Sequence, residues 1–225
     1  MPSTKVRQKV LTTARRVVVK VGTSALSDEA GRPDAAFLAD LSGQIARLVV
    51  RGVEVTLVSS GAVGAGMAEL DLPDRPGTLP LLQATAAVGQ GQLMRLFHDA
   101  FGRHGVKVGQ ILVTRGDFAD RSRYLNIRNT IAALHGLGAV PIINENDSVG
   151  VEELEQRFSD NDTVGAMVAN LLRADLLVLL SVVDGVLGEG EVLDVIEDPA
   201  ADADRLATGG RSRLGSGGMG SKLRA

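Results

Sequence analysis

The sequence has 225 residues, of which 44% are hydrophobic and 23% charged, as is ordinary for a globular protein with a full core. Its formal net charge of -3 argues against a nucleic-acid-binding protein, whose interaction surface would carry a basic excess. The absence of cysteine excludes disulfides, thiolate metal sites and cysteine nucleophiles. No apolar run approaches the ~20 residues of a membrane-spanning helix, and no signal-peptide pattern is present, so we expect a cytoplasmic protein without a membrane partner.

Residues 1–15 form a predicted basic N-terminal tail. They include Lys5, Arg7, Lys9 and Arg15 and contain no acidic residue. We favour a solvated tail or a short helix over a transit peptide, and we expect one folded domain over residues 16–225.

Five short apolar runs alternate with segments of helical periodicity. The runs cover residues 17–19, 53–58, 106–113, 139–143 and 176–180. Each is nearly continuous in apolar residues, as expected of strands covered on both faces. Strand–helix alternation of this kind predicts an α/β fold with a parallel sheet and right-handed crossovers.

Apolar residues between these runs recur at the three- and four-residue spacing of amphipathic helices. The first such stripe runs from Phe37 to Val49, with Asp34 as its expected N-cap and Gly52 as its end. Further stripes lie at 93–101, ended by Gly105, at 131–134 after residues 129–130, and at 164–171 after a possible cap in 160–162.

Polar residues and glycines follow every predicted strand, in residues 20–24, 59–64, 114–117, 144–147 and 181–185. Ligands of parallel α/β sheets bind outside the carboxyl ends of the strands. A purely structural domain would need turns at these positions, but it would not need Lys, Asn and Asp at almost every one. The pattern therefore predicts a ligand site along this edge.

Two lysines stand out by their position in the chain. Lys20 ends an apolar run, where an idle charge would be costly, and Lys222 ends the glycine-rich stretch 215–222. That stretch resembles a P-loop but fails its pattern, because Ser221 precedes Lys222, so an anion-binding loop is the reading that remains. Ammonium groups placed at a transferring phosphoryl group stabilise the charge that develops there.

Acidic residues and amides are concentrated in residues 144–147 and 160–162. Acids just before a helix are often caps, but two acids and an amide in three residues exceed what a cap needs. They would accept hydrogen bonds from a substrate ammonium or hold the two lysines in place. The three histidines, His98, His104 and His135, lack metal-binding spacing and are interpreted as structural or surface residues.

Several segments together resemble the glutamate-phosphorylating members of the amino acid kinase family. They are residues 18–24, 59–62, 142–147, 160–162 and 217–222, and Tyr124-Leu125-Asn126 with Arg128 also matches. The resemblance runs from about Arg16 to the end of the chain. It implies a three-layer αβα sandwich around a mainly parallel sheet, and ATP-dependent phosphorylation of the γ-carboxylate of L-glutamate, the first step of proline biosynthesis.

The resemblance also implies roles for individual residues. Lys20 and Lys222 would stabilise the transferring phosphoryl group, and Asp162 would orient them. Ser60, Asp147 and Asn161 would hold glutamate. ATP with Mg²⁺ would be held by Lys20, Ser181, Gly217, Gly218, Met219, Gly220, Ser221 and Lys222, with no metal ligand assigned to the protein. Proline would act as feedback inhibitor, and the protein would form a homo-oligomer.

The chain departs from the family pattern at Ser181-Val182, where Thr-Asp is usual, and in a shortened segment at 188–191. It stops at Ala225, so we expect a kinase domain that is short at its C-terminus and lacks a PUA domain. Two alternative functions remain: a related kinase with another acceptor such as acetylglutamate, and a non-catalytic sensor of glutamate or proline.

Overall fold

A computed structural model gives the fold of this chain. It describes residues 2–28, 31–150, 161–188, 191–198 and Lys222. The expected ATP-binding residues Gly217, Gly218, Met219, Gly220 and Ser221 lie outside the described residues, as does Asp160.

The main sheet consists of five strands: β1 (Arg16–Val21), β2 (Glu54–Val58), β3 (Lys107–Val113), β4 (Ala139–Glu145) and β5 (Leu176–Leu180). Their order across the sheet is β3-β4-β2-β1-β5, and every neighbouring pair is parallel. All five predicted strands are therefore confirmed. A separate antiparallel pair joins β6 (Leu187–Gly188) to β7 (Glu191–Val192).

The described helices are α1 (Pro2–Thr13), α2 (Thr23–Leu26), α3 (Ala35–Val50), α4 (Ala62–Glu69), α5 (Leu79–Gly102), α6 (Arg115–Ala119), α7 (Arg121–Gly136) and α8 (Asn161–Leu172). The predicted N-cap of α3 is confirmed, because the Asp34 carboxylate accepts hydrogen bonds from the backbone N–H groups of Ala36 and Phe37. Gly52 follows this helix with a φ of 81°, a left-handed conformation that glycine adopts without strain.

Apolar side chains of alternate strand residues pack against helices on the two faces of the sheet. On one face, Val19 and Leu57 pack in a cluster with Ile45 of α3 and Phe97 of α5. On the other face, Val18, Val58 and Ile143 pack with Ile131 of α7 and with Val164 and Val168 of α8. The three-layer αβα sandwich is thereby confirmed.

Two details of the sequence prediction were wrong. β3 is not covered on both faces: it is an edge strand, and only Val113 among its residues is buried. Helix α7 begins at Arg121, well before the stripe at 131–134, because the Asp120 carboxylate caps it through the Arg123 N–H. The first half of α7 is largely exposed, and Tyr124 and Ile127 extend the apolar stripe toward its start as partly buried side chains.

Within the described part of the chain, no helix has both the length and the apolar character needed to cross a membrane.

Candidate active site

The carboxyl ends of β4, β2, β1 and β5 lie side by side at one edge of the sheet. They bring four sequence segments to this edge: 144–147 at the end of β4, 59–61 after β2, 20–22 at the end of β1, and Ser181 after β5. The prediction of a shared polar edge is correct for these segments. The fifth segment, 114–117, is structural: Asp117 accepts from the Thr114 N–H at 2.7 Å and closes a capping box on α6.

A buried ion cluster joins Lys20, Asp162 and Lys222, and we call it the lysine cluster. Asp162 Oδ1 lies 2.7 Å from Lys20 Nζ, and Asp162 Oδ2 lies 2.8 Å from Lys222 Nζ. The side chains are 0% exposed at Asp162, 7% at Lys20 and 17% at Lys222. Two ammonium groups from opposite ends of the chain therefore meet at one carboxylate.

Electrostatics keep the central carboxylate of this cluster ionised. Burial alone raises the pKa of Asp162, but the charges and hydrogen bonds of Lys20 and Lys222 outweigh burial and hold the pKa below its ordinary value. With both lysines protonated, the cluster has one positive charge in excess. It is suited to an anion that arrives beside the two ammonium groups.

Local packing explains how a lysine fits into the sheet. Side chains alternate along β1, so Lys20 points to the same face as Val18, which packs on α8. A Cβ at Gly165 of α8 would lie 3.3 Å from Lys20 Cβ, and a Cβ at Gly22 would lie 3.2 Å from Lys20 Nζ. Glycine at both positions leaves room for the stem and the ammonium group of Lys20.

A second polar contact joins Ser60 to Asn161, the residue directly before Asp162 in the sequence. Asn161, the first residue of α8, donates from Nδ2 to Ser60 Oγ at the end of β2. Asn161 Oδ1 is buried, and no partner for it occurs among the described residues. A buried acceptor left in this state costs about 1–3 kcal/mol, so a donor group of a ligand or a water molecule would stabilise it.

The turn after Ser60 leaves a helix N-terminus open to the site. Gly61 has a φ of 98°, a left-handed conformation, and α4 starts at the next residue. The N-cap residue Gly61 has no side chain that could accept from the first-turn N–H groups of this helix. Such groups favour an anionic ligand.

Asp147 lies in a turn after β4, in which Asn146 O accepts from the N–H groups of Val149 and Gly150. The side chain is partly buried, and this burial raises its pKa to about 6 against the lowering effect of Arg75. The carboxyl group therefore changes its protonation state within the physiological range of pH.

The structure thus brings together two groups of the predicted residues: Lys20, Asp162 and Lys222 in one, Ser60 and Asn161 in the other. The contacts of the described residues do not join Asp147 or Ser181 to either group, although both lie at the same edge. Ser181 is exposed after β5. The interpretation of 160–162 as a helix cap is incomplete, since Asp162 binds the two lysines instead.

Sequence reasoning missed a contact that involves α5. Asn144 at the end of β4 is only 2% exposed, and its Nδ2 donates to Gln90 Oε1 of α5 at 2.7 Å. Gln90 lies in the middle of a helical segment, where neither periodicity nor a motif distinguishes it. Gln90 and Gln92 both lie between Val88 and Leu93, and nothing in the sequence distinguishes one glutamine from the other.

Comparison with known proteins decides the family. A model of the amino acid kinase family matches residues 15–225. The chain belongs to the amino acid kinase family. The main sheet and all three residues of the lysine cluster fall inside the matched range.

Relatives within the amino acid kinase family carry a more specific name. The chain is 44% identical, over 93% of its length, to a glutamate 5-kinase of Caldanaerobacter subterraneus subsp. tengcongensis, of which it covers 58%. It is 45% identical to a glutamate 5-kinase of Geobacter sp. (strain M21), with 97% of the chain and 60% of the relative covered. A glutamate 5-kinase of Clostridium acetobutylicum is 43% identical, with 97% of the chain and 84% of the relative covered. The chain therefore spans less than two thirds of the first two relatives and most of the third.

Proposed function

We propose that this chain transfers the γ-phosphoryl group of ATP to the γ-carboxylate of L-glutamate and forms L-glutamyl 5-phosphate. The observation that carries the proposal is the convergence of Lys20 and Lys222 on the buried carboxylate of Asp162. The relatives named glutamate 5-kinase support glutamate as the acceptor.

Glutamate binding would use the polar groups beside the lysine cluster. Asp147 and the buried Asn161 Oδ1, which has no partner among the described residues, are acceptors suited to the substrate ammonium. Ser60, already paired with Asn161, would hold the substrate from the β2 side. The N-terminus of α4 would favour a carboxylate nearby.

Phosphoryl transfer would then need little proton chemistry from the protein. The γ-carboxylate of glutamate is ionised at neutral pH, so one of its oxygens attacks the γ-phosphorus directly. The new O–P bond forms as the bond to the β-phosphate oxygen breaks, and ADP leaves with those electrons. Lys20 and Lys222 would stabilise the negative charge of the moving group, and Asp162 would keep both ammonium groups in place.

A magnesium ion would be carried by the nucleotide and would need no ligand from the lysine cluster. Asp162 already binds two ammonium groups, and Mg²⁺ commonly keeps several waters and binds substrate phosphates with few protein ligands. When bound, Mg²⁺ would neutralise part of the triphosphate charge. Ser181 and the segment 217–222 are proposed as the protein contacts of ATP, and in this segment the structure describes Lys222.

The remaining expectations from the family concern the whole protein. We propose that the kinase domain starts near Arg16, after helix α1, and that the enzyme acts in the cytoplasm at the first step of proline biosynthesis. Proline is proposed as a feedback inhibitor and a homo-oligomer as the assembly. The names of the relatives support the reaction, whereas inhibition and assembly need their own measurements.

A hydroxamate assay with a panel of acceptors tests the proposed reaction. Hydroxylamine traps an acyl phosphate, so ATP with L-glutamate is expected to give γ-glutamyl hydroxamate. N-Acetylglutamate is expected to give none, because it lacks the ammonium group that Asp147 and Asn161 would bind. Product from N-acetylglutamate alone would contradict the proposed acceptor. Calorimetric binding of glutamate without any ATP consumption would indicate a sensor instead of a kinase.

A further inference from the structure

We propose that Gln90 of α5 is a positioning residue for the segment 144–150, which contains Asp147 and is called the Asp147 loop below. Gln90 would act through the side chain of Asn144. The inference rests on the proposed function, because the position of this loop matters to catalysis only if Asp147 binds the substrate.

Hydrogen bonds fix the orientation of both amides in this contact. Asn144 Oδ1 accepts from the backbone N–H of Glu145 at 2.9 Å, so its Nδ2 must point the other way. Nδ2 is a donor and requires an acceptor, which is Gln90 Oε1 at 2.7 Å. The side-chain oxygen of Gln90 therefore holds Asn144 in place. Asn144 in turn binds the backbone N–H of Glu145 at the start of the Asp147 loop.

The far end of the Asp147 loop is also tied to α5. Gln83 Nε2 lies 3.5 Å from the carbonyl oxygen of Gly150, a long hydrogen bond. Gln83 and Gln90 are two helical turns apart, so they share one face of α5 and are separated by about 10 Å along the axis. The loop thus lies along α5 and is attached to it near both ends.

Helix α5 is itself fixed against the other side of the site. A Cβ at Gly89 would lie 1.9 Å from the carbonyl oxygen of Ala62, and a Cβ at Gly66 would lie 1.8 Å from that of Thr85. The backbones of α4 and α5 therefore touch, with no side chain between them. Because α4 starts directly after Ser60 and Gly61, the residue next to Gln90 also sets the position of the Ser60 turn.

The free energy lost by burying the Gln90 amide supports a role for this side chain beyond packing. Its Nε2 is buried and lacks a hydrogen-bond partner among the described residues. A methionine of similar shape would fill this space without an unsatisfied donor, and natural cores contain few such groups. The acceptor atom Oε1 is the part of the side chain that the structure uses.

Gln90→Met and Gln90→Glu distinguish the effect of the hydrogen-bond acceptor from the effect of side-chain volume. Methionine removes the acceptor, whereas a carboxyl group accepts from Asn144 in either protonation state. Gln90→Met is expected to raise both the Kd for glutamate, measured by calorimetry, and the KM for glutamate about tenfold, with kcat and the KM for ATP changed less than about twofold. Gln90→Glu is expected to keep both glutamate constants within about threefold, and Gln92→Met on the same helix should match the wild type.

The outcomes distinguish this proposal from the proposed function. Wild-type glutamate affinity in Gln90→Met, or equal losses in Gln90→Met and Gln90→Glu with lowered Tm in both, would overturn the positioning role. A wild-type chain that binds glutamate but forms no hydroxamate would contradict the kinase, while the Kd difference between the two variants would still support the role of Gln90. A wild-type chain that does not bind glutamate would overturn both.

Discussion

Burial of the charged lysine cluster has a large cost in solvation free energy. Removing charged groups from water costs several kcal/mol for each ion, and buried ion pairs often contribute little net stability. Asp162 is fully buried between two ammonium groups, and the three side chains of the cluster together carry one more positive than negative charge when both lysines are protonated. Stability alone does not explain that excess charge, whereas the proposed binding of a phosphoryl group beside it would.

The ionisation of Asp147 predicts how glutamate use depends on pH. Burial raises the pKa of this carboxyl group to about 6 in the free protein, and only the ionised form attracts the substrate ammonium. The kcat/KM for glutamate is therefore expected to fall as the pH decreases through about 6, approaching tenfold per pH unit. The kcat/KM for ATP at saturating glutamate should lack this dependence, since bound glutamate keeps Asp147 ionised.

Asp147→Asn supplies the control for this pH profile. The variant should have a lower kcat/KM for glutamate and should lose the decline near pH 6. The free wild-type protein should also lose stability as the pH rises through about 6, because the raised pKa means that folding favours the protonated carboxyl group. An Asp147→Asn profile that keeps the same decline would assign it to another group.

At the scale of residues, the sequence predicted side chains that follow strands and missed those that depend on tertiary contact. Lys20 and Ser60 could be identified because polar residues at the carboxyl ends of parallel strands converge on one edge. The bond between Gln90 and Asn144 joins residues far apart in the chain. Hydrophobic periodicity cannot predict such a pair. It indicates which face of a helix or strand a residue occupies, but not which atom of a distant residue its side chain contacts.

The crossing of α4 and α5 is the element contact on which the site geometry depends most. Gly66 and Gly89 allow the two helix backbones to meet, and this contact places the Ser60 turn relative to the Asp147 loop. Protein interiors are packed closely enough that an added methyl group at such a contact forces a backbone shift. Such a shift would change the relative position of Ser60 and Asp147, the two halves of the proposed glutamate site.

Gly89→Ala and Gly91→Ala on α5 are expected to change stability in opposite directions. Gly89→Ala should lower the free energy of unfolding by about 1–3 kcal/mol or more, because its Cβ meets backbone atoms of α4. Gly91 has no heavy atom within 4 Å of its would-be Cβ, so alanine there should raise stability by up to about 1 kcal/mol through helix propensity. Urea denaturation of both variants measures this difference. Stabilisation by Gly89→Ala would show that the helices do not cross as closely as described.

At the scale of elements, the presence of a helix or strand was easier to predict than its boundaries and its exposure. The five strands and the helix capped by Asp34 follow from apolar patterns and one capping residue. The exposure of β3 has a signal in the sequence that the prediction did not use, because Lys107 and Gln110 interrupt its apolar residues and both are exposed. The start of α7 was missed although Tyr124 and Ile127 continue its stripe at helical spacing, because most of the residues around them are polar and exposed.

At the scale of the whole molecule, the parallel sheet places the candidate site residues together at its carboxyl edge. The lysine cluster, Ser60, Asp147 and Ser181 are all at the carboxyl edge or adjacent to it. The opposite, amino edge has a polar cleft lined by Arg15, Arg16, Gly52, Glu54, Arg173 and Asp175, which shares no residue with the candidate site. This separation could be predicted from strand–helix alternation alone, because that alternation fixes all strands in one direction.

Lys222 connects distant parts of the chain at the carboxyl edge. Its ammonium group reaches Asp162, which lies 60 residues earlier, while Lys20 reaches it from the first strand. The catalytic proposal therefore depends on the whole chain, and the loss of either lysine should stop the same step.

The most direct test of this account is the kcat for glutamate-dependent ATP consumption in Lys20→Met and Lys222→Met, measured beside Lys107→Met. Lys107 is exposed at the amino end of β3 and serves as the matched control. Each of the first two variants is expected to lose at least about 100-fold in kcat while remaining folded by circular dichroism, and the control should keep the wild-type value. A folded Lys20→Met or Lys222→Met variant with wild-type kcat would contradict the claim that both ammonium groups act on one transferring phosphoryl group.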